Sequence, residues 1–453
     1  MITPSPPADR WNNRALARLL WPLVVEQLLT VTMGIADTIM VSSVGENAVS
    51  AVSVVDSINN LLIIAFAALA TGGTVVVSQY IGRLDAKNAN LAARQLMYVS
   101  AGTSLFLMFI ILLTRNPILK LVYGNLTEDV MGAAAVYFLL TALSYPFLAV
   151  YNSAAALYRA MANSRVPMFI ALLVNILNIG GNAVFIYKFD MGVVGAGLST
   201  LLCRIAAALI LTAMLMSGKK RTISLAGLSR LKFAPSMIRS ILNVGIPSGL
   251  ENSMFQFGRL LVTRIFTTFG TAAIAANAIT TVINSVCFMP GMAYCMALLT
   301  VVGQCIGSGN YEGARRYTIK IVKICYVTLG ALSMINFIFM EPIVSLFSLS
   351  PEAHEMAKSF LTVHCLTLAL FWPLSFALPS ALRAAGDARF CMVTAIVSMW
   401  FVRVSAAYFL AYSLGLGPLG VWIAMGGDFI LRSAFYTLRW RGGKWKSKRV
   451  IKE

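Results

Sequence analysis

Charge is scarce in this sequence. Only 12% of its 453 residues are Asp, Glu, Lys or Arg, against roughly a quarter in ordinary soluble proteins. Acids are rarer still, 17 against 36 Lys and Arg. Histidine occurs twice, as His354 and His364, and neither has an evident catalytic partner. The seven cysteines form no Cys-x-x-Cys pair, so the sequence offers neither a disulfide framework nor a thiolate metal site. They read as small apolar filler. No small-residue cleavage site follows a short apolar core near the N-terminus, so the first helix is expected to be retained. No polar stretch is long enough for a soluble cofactor-binding domain. Together these absences argue against an enzyme and against any cofactor.

What is abundant is apolar surface, at 58% of residues. That excess exceeds what one soluble core can bury, and it is arranged in runs long enough to cross a bilayer. Solid runs rather than alternation predict an all-α integral membrane protein. Twelve spans are expected, at about residues 15–42, 50–78, 92–114, 131–156, 166–187, 192–216, 240–267, 274–305, 318–340, 357–381, 390–412 and 416–437. The net charge of +19 is a topology signal in this reading, not a nucleic-acid footprint. With the N-terminus inside, 27 Lys and Arg fall in inner segments and four in outer loops. Both termini are therefore expected in the cytoplasm, with anionic lipid a secondary partner for the basic tail.

The two halves of the chain align at a constant offset of 225 residues. Pro22 and Glu26 match Pro247 and Glu251. Gly45, Ala48 and Ala51 match Gly270, Ala273 and Ala276, and Asn59 matches Asn284. "VVVSQYIG" (75–82) matches "TVVGQCIG" (300–307), and "GVVG" (192–195) matches "GPLG" (417–420). "YRAMANSR" (158–165) resembles "LRAAGDAR" (382–389) one residue out of step. A duplicated six-helix unit gives two pseudo-symmetric parallel bundles, an arrangement transporters use. The expected divisions are an N-terminal lobe (1–217), a cytoplasmic linker (218–239), a C-terminal lobe (240–437) and a basic cytoplasmic tail (438–453).

Five acids fall inside spans: Glu26, Asp37, Asp56, Glu251 and Asp428. A charge at the bilayer centre costs about 2.5–3.5 kcal/mol on insertion scales, so each needs a cation, a cavity or a proton. Arg204, Arg259, Arg264, Arg403 and Arg432 are the intramembrane cations. Glu26 and Asp37 share one helix face, about 16 Å apart along the axis. Glu26 recurs as Glu251, whereas Val262 stands where Asp37 would recur. A residue that breaks the repeat is a better candidate for function than for scaffold. Asn175, Asn178 and Asn182 form a polar stripe on the fifth span, and Thr200 follows in the sixth. They outline a polar cavity in the first lobe, shared with Asp37. The second lobe carries aromatics and methionines instead, among them Phe255, Met289, Met292 and Trp372. Such a surface adapts to varied ligands, and aromatic faces attract organic cations. With Glu251 nearby, these residues are the candidate substrate cavity, and His364 is a further group that could titrate.

At this point the chain resembles the MATE family, the multidrug and toxic compound extrusion transporters. The resemblance rests on "WPLVVEQ", "ADTIMVSSVG", "VVVSQYIG", "NILNIGGN", "GIPSGLEN", "FGTAAIAANAI", "VVGQCIG" and "LRAAGD", in order, over about residues 15–437. It implies twelve helices in two bundles and export of amphipathic or cationic organic compounds against inward H+ or Na+. In many bacterial and archaeal members the first-helix Asp, here Asp37, is central to coupling. The associated site maps to Asn178, Asn182 and Thr200, with Na+ held at Asp37 where Na+ is the coupling ion. This chain departs from that pattern at Asn182, which is Asp there, and the coupling ion stays open. The tenth-helix Asp of the NorM-type branch maps to Trp372, so the likeness is closer to the non-NorM bacterial members. Pro22 is the expected hinge of the first helix. The protein is expected to work as a monomer in a bacterial inner membrane, on small organic molecules and without nucleic acid. The alternative is a lipid-linked oligosaccharide flippase of related architecture, which would draw on Arg259, Arg264 and Arg403.

Overall fold

A computed structural model describes residues 11–124, 127–217, 222–228, 231–448 and 450–451. Arg10, the connector residues Lys219, Lys220, Arg221 and Arg230, and Arg449 and Lys452 of the tail lie outside them. The described residues contain helices and no strand. The first half runs α1 (Asn13–Ser42), α2 (Glu46–Gly82), α3 (Ala86–Tyr123), α4 (Glu128–Leu143), α5 (Tyr145–Ala160), α6 (Arg165–Asn182) and α7 (Gly192–Ser217). The second half runs α8 (Pro235–Thr267), α9 (Thr271–Cys287), α10 (Met289–Gly307), α11 (Tyr311–Ile338), α12 (Met340–Ser345), α13 (Pro351–Leu370), α14 (Leu378–Ala384), α15 (Ala388–Val397), α16 (Ser405–Tyr408) and α17 (Gly417–Arg441).

These elements form the twelve spans of a two-bundle membrane protein. Eight contain a continuous helical segment long and apolar enough to cross a bilayer, two of these, Arg165–Lys188 and Ala388–Ser413, including π-helical turns. Two more are bent pairs, α4 with α5 at 43° and α13 with Pro373–Ala384 at 58°. The remaining two, α8 and α17, are less apolar because they carry the intramembrane charges Glu251, Arg259 and Arg264, and Asp428 and Arg432. Large apolar side chains stay exposed along several spans, such as Phe106 and Leu113 on α3 and Val327 and Met334 on α11. A soluble fold would bury them, whereas lipid is their solvent here.

The turns repeat as faithfully as the helices. Positive φ angles recur 225 residues apart at Gly45 and Gly270, Leu84 and Gly309, Asp190 and Gly415, and Gly192 and Gly417. Ala162 and Gly386 form a fifth pair, at the out-of-step segment. The caps that follow two of these turns also correspond. Asp85 accepts from the Asn88 amide at 3.0 Å, and Asn310 accepts from the Gly313 amide at 2.7 Å. Each satisfies an orphan donor at a helix start. That bond also holds the Asp85 carboxyl below the usual range.

The chain divides into two compact units, one of Trp21–Ile246 and the other of Met1–Leu20 with Pro247–Glu453. Both divisions fall within two residues of a helix-interior proline, Pro22 or Pro247. In the Trp21–Ile246 unit, Ala51, Val55, Ala134, Phe138 and Tyr145 seal the core between α2, α4 and α5. The connector is strapped to α3 within the same unit. Gln95 donates to the Lys232 carbonyl (2.7 Å) and accepts from the Ala234 amide (3.0 Å), and Tyr98 donates to the Leu228 carbonyl (2.7 Å). Gly72 lets α2 meet the start of α8, since a Cβ there would lie 2.3 Å from the Ile241 carbonyl oxygen. In the other unit Trp445 stacks on Trp440 with ring centroids 4.3 Å apart, which anchors the start of the tail.

Gly72 and Gly102 make a matched test of this packing. Gly102→Ala meets nothing within 4 Å and should stabilise the protein by about 0.5–1 kcal/mol. Gly72→Ala drives a methyl into backbone and should destabilise it by about 1–3 kcal/mol. Thermal unfolding in detergent, followed by tryptophan fluorescence, reads both signs. The caps predict a pH dependence. The Asp85 contribution, present above its unfolded pKa near 4, disappears as pH falls through the lowered folded value. The melting-temperature penalty of Asp85→Ala should therefore vanish in acid, while that of Asn310→Ala persists.

Candidate functional site

Each unit holds one buried glutamate on its proline-bearing helix, and each glutamate meets one arginine. Arg159 Nη1 donates to Glu26 Oε1 at 2.7 Å, and Arg383 Nη2 donates to Glu251 Oε1 at 2.7 Å. Glu26 and Glu251 are repeat equivalents, and Arg159 and Arg383 occupy matching places in the out-of-step segment. Pairing supplies the counter-charge that the membrane interior requires. Glu251 is therefore neutralised within its own unit and is not a free acid.

The first unit gathers a second polar group. Asn182 Nδ2 donates to Asp37 Oδ1 at 2.6 Å and faces Asn178 Oδ1 at 3.5 Å. The Asn178 carbonyl accepts from Ser199 Oγ at 3.0 Å, which ties α6 to α7. Asn178 and Asn182 are fully buried, and Thr200 is buried on α7 one turn before Arg204. Asn182 Oδ1 and Asn178 Nδ2 have no hydrogen-bond partner. Asn175 donates instead to its own helix, at the Ala171 carbonyl (2.8 Å). The structure thus brings Asp37, Asn178 and Asn182 together, as the polar stripe suggests.

Asp56 extends this group. Its Oδ1 accepts from Asn59 Nδ2 (3.3 Å) and Tyr137 OH (3.5 Å), and Asn59 Oδ1 accepts from Tyr145 OH (2.6 Å). Asp37, Asp56 and Arg204 lie within electrostatic reach of one another. Arg204 donates to Ser144 Oγ at 2.6 Å and forms no ion pair among the described residues. Two carboxylates therefore lie near one guanidinium, and with both ionised one negative charge would be in excess. Sequence reasoning marked Asp56 and Arg204 only as intramembrane charges. Asn59 stands three residues after Asp56 on α2, but Tyr137 on α4 and Ser144 between α4 and α5 are brought in by tertiary packing.

In the second unit, Trp372 lies at the bend between α13 and a π-helical turn (Pro373–Ala377), a helix irregularity often found at functional sites. Its ring stacks on Phe376 (5.2 Å) and Phe288 (6.4 Å), and Phe376 meets Phe255 edge-on (6.1 Å). Met289 is buried and Met292 is exposed. Asp428, fully buried, accepts from Arg432 Nε at 2.7 Å and from Ser398 Oγ, and Arg403 Nη1 stands 3.8 Å from its Oδ2. His364 packs against Trp422 with both ring nitrogens unpartnered. The i, i+4 spacing on α17 joins Asp428 to Arg432, whereas no spacing within one helix joins either to Arg403 on the π-helical segment Ser398–Val404.

The paired glutamates give a direct test. Glu251→Gln leaves the Arg383 charge buried without its partner and should destabilise the protein by about 3–5 kcal/mol. The double variant Glu251→Leu with Arg383→Leu should recover most of that loss. Thermal unfolding and yield in detergent measure both.

Comparison with known proteins agrees with this architecture. The family model MatE matches residues 22–184 and 247–409, two segments related by the same offset of 225. The chain is 30% identical to the uncharacterized transporter YisQ of Bacillus subtilis, over 98% of this chain and 96% of that protein. It is also 30% identical to the probable multidrug resistance protein NorM of Thermotoga maritima, over 97% and 94%. Its fold superposes on a MOP superfamily transporter from Pyrococcus furiosus with a TM-score of 0.90 and 21% identity, covering 98% of each chain. That structure is described as suggesting a different function through the reverse polarity of its binding pocket. The duplicated helical unit, the paired glutamates and these matches lead to one conclusion: this chain belongs to the MATE family of multidrug efflux transporters, multi-pass membrane proteins that are not enzymes.

Proposed function

We propose that the protein is an antiporter that exports amphipathic or cationic organic compounds by alternating access of its two lobes, driven by inward H+ or Na+. Asp37, Asn178, Asn182 and Thr200 form its coupling site. One observation carries this reading. The first unit holds Asp37 and Asp56 against the single guanidinium of Arg204, an excess negative charge that a proton or Na+ would neutralise. In the unloaded state the Asn182 amide donates to the Asp37 carboxylate. Loading Asp37 removes the charge that makes this bond strong. The unpartnered Asn182 Oδ1 is then available to accept from a protonated Asp37 or to ligate Na+. Either change rearranges the contact between α1 and α6. Coupling follows if the rearranged contact favours one access state, because a ligand shifts an equilibrium only through differential affinity. Pro22 supplies the hinge, since it removes an intrahelical hydrogen bond within α1. Phe255, Met289, Met292 and Trp372 wall the substrate cavity, with Glu251 positioning α8 through Arg383.

Both termini face the cytoplasm in this scheme, with the lobes and linker divided at residues 217 and 239. The protein works as a monomer and needs no cofactor. The second reading, a flippase for lipid-linked oligosaccharides, is supported by Arg403, whose Nε and Nη1 have no hydrogen-bond partner. It would show as gradient-independent movement of a lipid pyrophosphate. The antiport reading predicts substrate movement in proteoliposomes under an imposed proton or sodium gradient, and loss of that movement in Asp37→Asn. Undiminished gradient-driven transport by a well-expressed Asp37→Asn protein would reject it.

A further inference from the structure

The second unit concentrates positive charge where the first concentrates negative. Arg403 stands at the repeat position of Asn178, 225 residues on. It is nine-tenths buried, yet its Nε and Nη1 have no hydrogen-bond partner among the described residues. Asp428 is its nearest acid, with Oδ2 at 3.8 Å and beyond hydrogen-bond reach, while Arg432 and Ser398 both bind the other oxygen, Oδ1. A guanidinium carries five donors, and leaving them unmade inside a membrane protein is costly. Arg259 adds a further charge. It lies one turn after Phe255 on α8, within electrostatic reach of Arg403, and forms no ion pair among the described residues. Gly258 permits this arrangement, since a Cβ there would lie 2.4 Å from Met399 Cε. The close approach seats α8 on the Ser398–Val404 segment that bears Arg403.

Among the described residues, the charges facing this place are therefore Arg259, Arg403 and Arg432 against Asp428. The neighbouring pairs Glu251–Arg383 and Asp387–Arg439 balance themselves. Aromatic surface adjoins the arginines. The Arg403 and Arg432 guanidinium carbons lie 5.3 and 5.4 Å from the Phe255 ring centroid, and Phe255 continues through Phe376 to Trp372. A guanidinium beside an aromatic wall fits a planar anion attached to an apolar ring.

We propose that Arg403 and Arg259 form an anion-recognising subsite in the second lobe, with Phe255, Phe376 and Trp372 as its aromatic wall, and that the protein takes aromatic amphiphiles bearing a carboxylate or sulfonate. The proposal rests on the reading of the protein as an exporter of amphipathic compounds, and it assigns their charge. It places recognition of the anion on one lobe and loading of the coupling cation on the other.

The test is binding to the full chain in lipid nanodiscs with no ion gradient, so failure of coupling does not affect the result. Fluorescence anisotropy reports carboxyfluorescein, an aromatic carboxylate, and ethidium, an aromatic cation. The wild-type protein should bind carboxyfluorescein more tightly than ethidium. Arg403→Gln and Arg259→Gln should each weaken carboxyfluorescein binding by about tenfold or more, the loss of a charge-assisted bond, while ethidium binding stays unchanged. Arg259 is exposed and makes no ion pair among the described residues, so its variant keeps the test decisive if Arg403→Gln fails to assemble. Competition by 1-naphthoate should displace the probe. A wild-type preference for ethidium, unchanged carboxyfluorescein affinity in Arg259→Gln, or displacement by phosphatidic acid but not by 1-naphthoate would overturn the proposal. An Asp37→Asn protein that binds carboxyfluorescein normally yet transports nothing under a gradient would support it, with coupling failing separately.

Discussion

The bilayer sets a cost on every charge the chain carries between its loops, and the arrangement of this protein follows from how each charge is compensated. Glu26 and Glu251 are closed off by Arg159 and Arg383 at 2.7 Å. Breaking either pair strands a charge in a low-dielectric interior, which is far more costly than replacing both partners. These pairs tie the proline-bearing helix of each lobe to the short segment between its fourth and fifth spans. They are the fixed part of the duplicated unit.

Against that fixed part, two groups remain unbalanced, with opposite signs. In the first unit Asp37 and Asp56 share Arg204. In the second, Arg403 and Arg432 share Asp428, and Arg259 adds a further charge within electrostatic reach of Arg403. Duplication explains how this became possible. Two copies of one scaffold provide equivalent positions, and Asp37 against Val262 or Asn178 against Arg403 changes the charge at a position, the second exchange falling where α-helix in α6 is replaced by the π-helical segment Ser398–Val404. Energetically, an unbalanced group is where a mobile ion or a substrate contributes most.

The fold was legible in the sequence because its strongest signals are long-range and redundant. Solid apolar runs mark the spans, and the constant offset of 225 marks the duplication. The helix breaks were less legible. Span 131–156 is two helices bent by 43°, and the tenth span is bent by 58° around Trp372 and Pro373. The site was legible in part. Asp37 stood out because it breaks the repeat, and the Asn stripe follows helical spacing. Asn182 donating to Asp37 joins the two. Asp56, Tyr137 and Arg204 were not legible as partners, because tertiary packing alone brings α2, α4 and α7 together. Glu251 sits beside aromatics and pairs with Arg383, which leaves Arg259 and Arg403 as the charges of that lobe without an acid of their own.

The central claim is that the excess negative charge of the first lobe lies on Asp37 and takes up the coupling ion. Infrared difference spectroscopy of the full chain in lipid tests this directly, with pH lowered or Na+ added at constant pH. The account predicts a carboxyl difference band for at least one of these ions that is lost in Asp37→Asn and retained in Glu26→Gln. The same band in Asp37→Asn as in the wild-type protein would contradict it.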